Sequence, residues 1–431
     1  MSAEPTETAP APATAASHHA AFFRQSGWLM MANVSGGMMM YAVHFLAKHR
    51  SVTAAEYGAF GVMLSVAMCV PNLPLQMVFA QQTAQALVAH RERELAGMIR
   101  LAWLGTLGLC LLLAAGVLVW QADILAGWKL ASPVGLWITV LVVLLSLWLP
   151  LFWGVLQGQQ DFFSLGWSNI FNGAFRLGGA AALVILMGWG AAGMMIGVCA
   201  GLVVGTAIGI WQTRSLWLVR AQPFDWRSLL AQIVPLMLGF GAMQFLFTAD
   251  MLFVRAYFSS DETGYYLSAG TMSRALTWLV LPLATVMFPK IVHSVARSEK
   301  SNLLGVVLLG TGILSAGGAV GLTVLGPWII RLVYKASYVE VAAAVLPWYA
   351  WAMVPLSLAF ALVNNLLARS RFRIVPVLVL LAAGYGFALT RFHDSLITVL
   401  KTLGAFNLLL FGACVWFTWG VKEETKAEGG S

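Results

Sequence analysis

The sequence has few charged residues, few cysteines and no long polar segment. Only 10% of its 431 residues are charged, whereas 60% are apolar, and the mean hydropathy is +0.82. The four cysteines show no CxxC spacing and fall in apolar runs: Cys69, Cys110, Cys199 and Cys414. Such spacing indicates neither a disulfide framework nor a zinc site. The composition excludes a soluble globule with a single core and predicts a membrane protein.

Signatures of enzymes are also missing from the sequence. There is no phosphate-binding P-loop, HExxH, GxSxG or carboxylate pair at the mouth of an apolar run, and no predicted loop exceeds about 20 residues. Asp261 and Glu262 stand beside Gly264, which is typical of a solvated turn. We therefore predict a protein that is not an enzyme, with no metal and no cofactor.

Apolar runs long enough to cross a bilayer follow one another with short polar gaps. A membrane helix needs about 20 mostly apolar residues, and nothing alternates in polarity as barrel strands would. Twelve spans are predicted, at 27–46, 58–80, 101–119, 134–156, 165–187, 191–211, 232–256, 265–288, 303–323, 340–363, 374–390 and 397–419. The predicted fold is an all-α polytopic membrane protein.

Basic residues predict the orientation of these spans. With a cytoplasmic N-terminus, 15 of the 25 Lys and Arg residues lie on the inner side, seven on the outer side and three within spans. An excess of inner positive charge favours this orientation, with both termini cytoplasmic, and it accounts for the net charge of +8 without a nucleic-acid partner. The Pro- and Ala-rich residues 1–20 are predicted to be a disordered tail, and residues 421–431 a cytoplasmic tail.

The two halves of the chain resemble each other weakly. A shift of 206 positions places EYGAF (56–60) on ETGYY (262–266), and GVLQGQQDFF (154–163) corresponds to NNLLARSRFR (364–373). Six spans per half is an even number, so the halves would be related by a pseudo-two-fold axis along the membrane normal. We predict two six-helix lobes, 21–218 and 219–420, around a central cleft, as in many transporters.

Three segments carry a resemblance to a known family. They are EYGAFGVMLSVA, GVLQGQQDFFSLGWSNIFNGAFRLGGAA and ADMLFVRAYFSSDETGYYLSAG. Together they resemble the polysaccharide-biosynthesis branch of the multidrug/oligosaccharidyl-lipid/polysaccharide (MOP) exporter superfamily. Lipid II flippases, a related branch, usually carry fourteen spans, and drug-exporting relatives often have an acid in span 1, which is absent here.

The resemblance implies a flippase of the bacterial inner membrane. It would move an undecaprenyl-diphosphate-linked glycan by alternating access, for exopolysaccharide, capsule or O-antigen assembly. Its partners would be membrane lipid and glycosyltransferases or a polymerase of the same pathway. Two alternatives remain: a cation-coupled exporter of amphipathic drugs, and a non-catalytic membrane component of a polysaccharide synthesis complex.

Four charged residues fall inside predicted spans: Arg176, Asp250, Arg255 and Arg274. Because a charge near the bilayer centre costs at least about 2.5–3.5 kcal/mol, each should face a polar cavity or a partner. Guanidinium stays charged when dehydrated and binds phosphate oxygens in a bidentate fork. We therefore predict that the three arginines bind the diphosphate.

Polar residues on helical stripes complete the predicted site. Arg176 shares a stripe with Asn169 and Asn172, and Arg255 shares one with Gln244 and Thr248. The predicted substrate-binding residues are Arg176, Arg274, Arg255, Asn169, Asn172, Asn72, Gln76 and Gln244. Asp250 is predicted either to pair with an arginine of another helix, Arg274 being the nearest by depth, or to couple transport to an H⁺ or Na⁺ gradient.

Overall fold

The computed structural model describes residues 15–277, 303–369 and 371–420. Within them, 11 helices are long and apolar enough to cross a membrane, and no strand is present. Every predicted span lies mainly in helix, although the second, 58–80, contains a break and the eighth, 265–288, is described only as far as residue 277. The all-α fold class is confirmed. Residues 15–20 of the predicted tail are helical, in keeping with their alanine content.

The first half forms one lobe, in which α7 lies between α1 and α8, and α6 packs against α3 and α8. Its helices are α1 (Ala15–Ala42), α2 (Ala54–Met68), α3 (Asn72–Val88), α4 (Glu92–Val119), α5 (Gln121–Gly127), α6 (Pro133–Gly158), α7 (Phe162–Ala181), α8 (Ala191–Gln212) and α9 (Arg214–Leu218). A 3₁₀ turn, Val43–Lys48, extends α1, and a π turn, Ala182–Leu186, extends α7.

The second half forms the other lobe, in which α13 packs against α12 and α15, and α14 packs against α10. Its helices are α10 (Trp226–Tyr257), α11 (260–277), α12 (Leu303–Val333), α13 (Val339–Ala368), α14 (Val375–Arg391) and α15 (Leu396–Val415). A π turn, Trp416–Gly420, follows α15.

The second membrane span is broken in its middle. It runs over Ala54–Val88, and the chain leaves helical geometry between α2 and α3, at Pro71. Proline lacks a backbone N–H and cannot continue the hydrogen-bond ladder, so carbonyl groups of the preceding turn lose their partners. In a bilayer such groups must find partners within the protein.

The two lobes meet where the halves repeat. Gly58 of EYGAF and Gly264 of ETGYY face each other, because a Cβ atom at Gly58 would lie 2.9 Å from the Gly264 nitrogen. A Cβ atom at Gly264 would collide with the carbonyl oxygen of Ala54. The first turns of α2 and α11 therefore pack backbone to backbone, which only glycine allows at this spacing.

This contact lies at one end of the bundle. We call it the sealed end, defined by residues 49–53, 128–132 and 334–338, and we call the opposite end, defined by residues 89–91, 159–161 and 213–225, the basic end. The charge distribution predicts that the sealed end lies outside the membrane and the basic end in the cytoplasm, and this orientation stays a prediction.

Candidate functional site

Asp250 and Arg274 form a buried ion pair inside the second lobe. Arg274 Nη2 lies 2.7 Å from Asp250 Oδ1, and the residues are 8% and 0% exposed. Arg274 Nε also donates to the Phe247 carbonyl oxygen at 3.0 Å. The guanidinium stands over the rings of Phe247 and Tyr349, 5.6 and 5.5 Å from their centroids. Its charge is therefore balanced by a carboxylate and by two ring faces.

Two tyrosines occupy the other carboxylate oxygen of Asp250. Tyr266 donates its hydroxyl proton to Oδ2 at 2.8 Å, and the hydroxyl of Tyr349 donates to the same atom. The sequence analysis did not identify either tyrosine as a partner, because an uncharged tyrosine in an apolar run carries no signal like that of Arg274. The carboxylate is thus hydrogen-bonded on both oxygens, as a buried charge requires.

Arg255 donates its protons to backbone carbonyl groups at the sealed end. The residue is 2% exposed; Nε donates to Trp128 O at 2.6 Å and Nη2 to Lys129 O at 2.7 Å. Nη1 is 3.4 Å from the Ala55 oxygen. These three acceptors belong to the first lobe, whereas Arg255 belongs to the second, as does a fourth acceptor, the Ser260 oxygen, at 3.5 Å from Nη1. In this conformation the guanidinium therefore joins the lobes.

Lysines at the sealed end make the same kind of contact in both directions. Three ammonium groups donate to carbonyl oxygens of the opposite lobe: Lys48 to Leu332 at 3.0 Å, Lys129 to Phe258 at 2.5 Å and Lys335 to Val52 at 2.6 Å. Burial lowers the pKa of the Lys335 ammonium, because desolvation disfavours its charged form. We call Lys48, Lys129, Lys335 and Arg255 the carbonyl latch.

A chain of hydrogen bonds from His44 also crosses between the lobes. His44 Nδ1 lies 2.8 Å from the Tyr57 hydroxyl, which in turn lies 3.0 Å from the Tyr334 hydroxyl and 3.3 Å from Thr271 Oγ1. His44 is buried at this contact. A single histidine gives no signal in the sequence, and the sequence analysis missed this contact.

Arg176 differs from the other two membrane arginines. Its Nε atom is buried without a hydrogen-bond partner among the residues that the structure describes, and no carboxylate there pairs with it. Its stripe neighbours are used in helix packing: Asn169 Nδ2 donates to Asn33 Oδ1 of α1 at 2.7 Å, and Asn172 packs against Gly201 of α8. Arg176 is thus a half-buried cation in the first lobe, with no partner in the part of the chain that the structure describes.

The stripe of α10 faces the broken second span. Gln244 Nε2 donates to the Met68 carbonyl oxygen at 2.8 Å. This hydrogen bond replaces the intrahelical donor that the carbonyl oxygen loses at the break. One turn further, Thr248 Oγ1 lies 3.2 Å from Cys69 Sγ. The predicted stripe is therefore a seam between the lobes in this conformation.

Of the remaining predicted residues, one lies inside the first lobe and one lies at the break. Gln76 Nε2 donates to Gln157 Oε1 of α6 at 3.1 Å, which joins two helices of the same lobe. Asn72 begins α3 at the break and is exposed. Three of the predicted binding residues have side chains without a hydrogen bond among the described residues: Arg176, Asn72 and Asn172, of which Asn172 is buried against α8.

One stripe of α1 shows where the lobes separate. Tyr41, Val34 and Met30 share a helical face. Tyr41 donates to the Thr271 carbonyl oxygen of α11 at 3.3 Å, whereas Val34 and Met30 are exposed, within the part of the chain that the structure describes. The lobes touch along this face near the sealed end, whereas toward the basic end none of the described residues covers Val34 or Met30.

The fold is that of known two-lobed membrane transporters. A multidrug resistance MATE family transporter of the MOP superfamily, in an inward-facing conformation, matches with a TM-score of 0.67 and 13% identity over 90% of this chain and 97% of that chain. A lipid II flippase MurJ, in an inward closed conformation, matches with a TM-score of 0.68 and 16% identity over 93% and 88% of the two chains. A MATE protein in complex with MaL6 matches with a TM-score of 0.60 and 13% identity over 91% of this chain and 93% of that chain.

The sequence profile of the family described as lipid II flippase MurJ matches residues 98–410, well over half of the chain. The chain belongs to this family, within the MOP superfamily that the sequence predicts. No curated protein matches it. The number of spans was therefore not a sound reason to set lipid II flippases aside. The polysaccharide-biosynthesis branch stays a prediction. MurJ flippases and MATE proteins are transporters, which agrees with the prediction that the chain is not an enzyme.

Proposed function

We propose that the protein is a flippase that carries a polyprenyl-diphosphate-linked oligosaccharide across the bacterial inner membrane by alternating access. The observation that carries this proposal is Arg176, a half-buried guanidinium whose Nε atom is buried and which has no acid or hydrogen-bond partner among the described residues. A diphosphate is the ligand that such a group lacks, since its oxygens accept bidentate hydrogen bonds from guanidinium. Asn72, at the exposed start of α3, would add a neutral donor.

Arg274 and Arg255 would act differently from Arg176 in this mechanism. Arg274 is neutralised by Asp250, and Arg255 belongs to the carbonyl latch. We propose that they bind the substrate only after these contacts break, when the sealed end opens to the periplasm. In the conformation described here the head group would enter from the basic end, along the uncovered face of α1, while its polyprenyl chain stays in lipid.

The class of glycan is also part of the proposal. Exopolysaccharide, capsule and O-antigen precursors fit the sequence resemblance, and the family name adds lipid II as the first lipid-linked substrate to test. The alternative of a drug exporter needs an acid for a cationic ligand. Asp250, the acid expected to serve, already holds Arg274, so this alternative has less support.

Coupling to an H⁺ or Na⁺ gradient is proposed through the same pair. Both oxygens of Asp250 are occupied, so a cation would reach the carboxylate only when Arg274 moves away. Binding of a diphosphate to Arg274 would release Asp250 and so link substrate to cation. Flipping by the wild type that is independent of pH and Na⁺ gradients would contradict this link.

The test of the proposed function is flipping by purified protein in vesicles. A labelled polyprenyl-diphosphate-linked saccharide, and separately lipid II, should cross the bilayer with wild type. Arg176→Met keeps side-chain length but removes the charge, and it should reduce the rate by at least about tenfold, the effect of losing one charge-assisted hydrogen bond. Arg176→Lys should be intermediate. Arg391→Met, on an exposed arginine at the end of α14, is the matched control and should flip normally.

Two outcomes would contradict the proposal at different levels. Full activity of Arg176→Met would remove the arginine from the site but leave the flippase. Failure of wild type to move either lipid, together with export of a cationic drug, would favour the drug exporter. Flipping by the protein alone would exclude a role limited to scaffolding a synthesis complex.

The proposed orientation has its own test. A cysteine at Ser259, on the sealed end, should react with an impermeant reagent added outside the cell. A cysteine at Arg91, on the basic end, should react only after the membrane is opened. The reverse pattern would overturn the orientation, and with it the direction of entry proposed above.

A further inference from the structure

A basic cavity opens between three helices at the basic end of the second lobe. It encloses about 250 Å³ and is lined by Leu304 of α12, Asn365 and Arg369 of α13, Arg371, and Thr418 and Trp419 of the π turn after α15. It contains none of the residues proposed to bind the transported substrate. The cavity is therefore separate from the proposed transport site.

Contacts within the protein orient the two arginines of this cavity. Arg369 Nε donates to Asn365 Oδ1 at 3.1 Å, and Asn365 is itself buried. This contact leaves the terminal nitrogens of Arg369 without a hydrogen-bond partner among the residues that the structure describes. Arg371 Nη1 lies 3.4 Å from the carbonyl oxygens of Phe417 and Thr418. Two positive charges are thus held in one cavity.

The repeat in the sequence shows that the fold does not require these arginines. Arg369 and Arg371 correspond to Gln159 and Asp161 when NNLLARSRFR is placed on GVLQGQQDFF. In the first lobe Asp161 accepts the backbone N–H of Ser164 at 3.0 Å and caps α7, so the same turn forms with an acid. The pair of positive charges is a property of the second lobe alone.

The surroundings of the cavity are those of the membrane interface. Helix termini meet there, and the indole of Trp419 is exposed, as in the aromatic belts that lie at head-group level. Val306 and Leu309 of α12 are exposed along the same end of the helix and offer an apolar surface. An occupant would need an anionic head and an apolar tail.

We propose that this cavity binds the head group of an anionic membrane phospholipid. The phosphate would accept hydrogen bonds from Arg369 and lie in the field of Arg371, while the acyl chains lie against Val306 and Leu309. Basic pockets between membrane helices on the cytoplasmic side commonly bind anionic lipid head groups, and guanidinium suits phosphate. The site is separate from the proposed transport site and does not depend on it.

The test uses the full chain, purified and stripped of lipid, and titrated with short-chain phosphatidylglycerol, short-chain phosphatidylcholine or inorganic phosphate. Phosphatidylglycerol should bind and raise the melting temperature more than phosphatidylcholine. Arg369→Gln should weaken phosphatidylglycerol binding about tenfold, as expected for one charge-assisted hydrogen bond. Arg369→Lys should recover part of the affinity. Arg373→Gln removes the same charge from the same loop but lies outside the cavity lining, so it should bind as wild type.

Other results would overturn the proposal. Equal losses in Arg369→Gln and Arg373→Gln would show that general surface charge attracts the lipid. Equal binding of phosphatidylglycerol and phosphatidylcholine would show apolar adsorption. Inorganic phosphate that binds as tightly as phosphatidylglycerol would make the cavity an anion site without a lipid tail. A melting temperature of Arg369→Gln equal to wild type without lipid would show that the variant is folded.

Discussion

Arg274 in the second lobe and Arg176 in the first are both arginines within predicted membrane spans, yet their surroundings differ, since Arg274 is buried and Arg176 is half-buried. Arg274 has a carboxylate, a carbonyl oxygen and two aromatic faces. Arg176 has no hydrogen-bond partner for Nε among the described residues. The position of a charged side chain within the membrane is therefore not enough to make it a binding site. Its partners decide whether it stabilises the fold or remains available to a ligand.

Removal of the acid should have the largest effect on stability. Asp250→Asn leaves the charge of Arg274 buried without its counter-charge, which costs about 3–5 kcal/mol. We expect a clear fall in the melting temperature of the protein in detergent. Asp250→Asn combined with Arg274→Met removes both charges and should recover most of the loss. A single variant that melts like wild type would show that the pair contributes little.

Arg255 should be intermediate, because its partners are dipoles and not a charge. Arg255→Met removes hydrogen bonds from a charged donor to carbonyl oxygens, each worth about 1.5–3 kcal/mol. Since those oxygens lie at the sealed end, water would replace part of the loss. We expect a smaller fall in melting temperature than for Asp250→Asn, together with faster labelling of a cysteine at Ser259. Arg391→Met, an exposed arginine at the same end, should change neither quantity.

Gln244 supplies a neutral reference for these charged contacts. Gln244→Leu would leave the Met68 carbonyl oxygen without its donor at the break of the second span. An unsatisfied buried acceptor costs about 1–3 kcal/mol, and here relaxation of the broken helix should keep the cost near the lower limit. The melting temperature should fall slightly. A fall as large as that of Asp250→Asn would mean that the break depends on this hydrogen bond.

Arg176 should show the smallest effect on stability and so complete the comparison. Arg176→Met removes a charge that has no described partner, and replacement of such a group by an apolar one of similar length is expected to be neutral within about 1 kcal/mol or stabilising. Its melting temperature should match wild type while flipping falls. A strong loss of stability would instead indicate that Arg176 holds the first lobe together.

The sequence could predict helices, their order and the faces they use. The stripe of Gln244, Thr248 and Arg255 follows from a period of 3.6 residues, and all three side chains do contact the other lobe. Pro71 likewise signals the break after α2. The ends of the spans were less accurate: 58–80 became Ala54–Val88, because a hydropathy window detects only the apolar part of a helix that continues through polar residues.

Contacts between side chains on different helices could not be predicted in the same way. Asp250 and Arg274 were predicted to lie at a similar depth in the membrane, which made Arg274 a candidate partner for the carboxylate. The tyrosines that share the carboxylate lie on other helices and have no local signal in the sequence. The different states of Arg176 and Arg274 were also hidden, since both are single arginines in apolar runs. Only the packing of helices distant in sequence separates them.

The carbonyl latch has a consequence for how the protein tolerates change over evolution. Every acceptor in it is a main-chain oxygen, supplied by residues such as Trp128, Val52 and Leu332 irrespective of their side chains. Substitution at those positions leaves the acceptor in place as long as the backbone keeps its path. Only substitution of the donor residues would remove these hydrogen bonds. The loops of the sealed end can therefore vary in sequence while the two lobes stay in contact there. Because peptide oxygens do not titrate between acid and neutral pH, the acceptors of the carbonyl latch should remain able to accept hydrogen bonds when the solution at the sealed end becomes acidic.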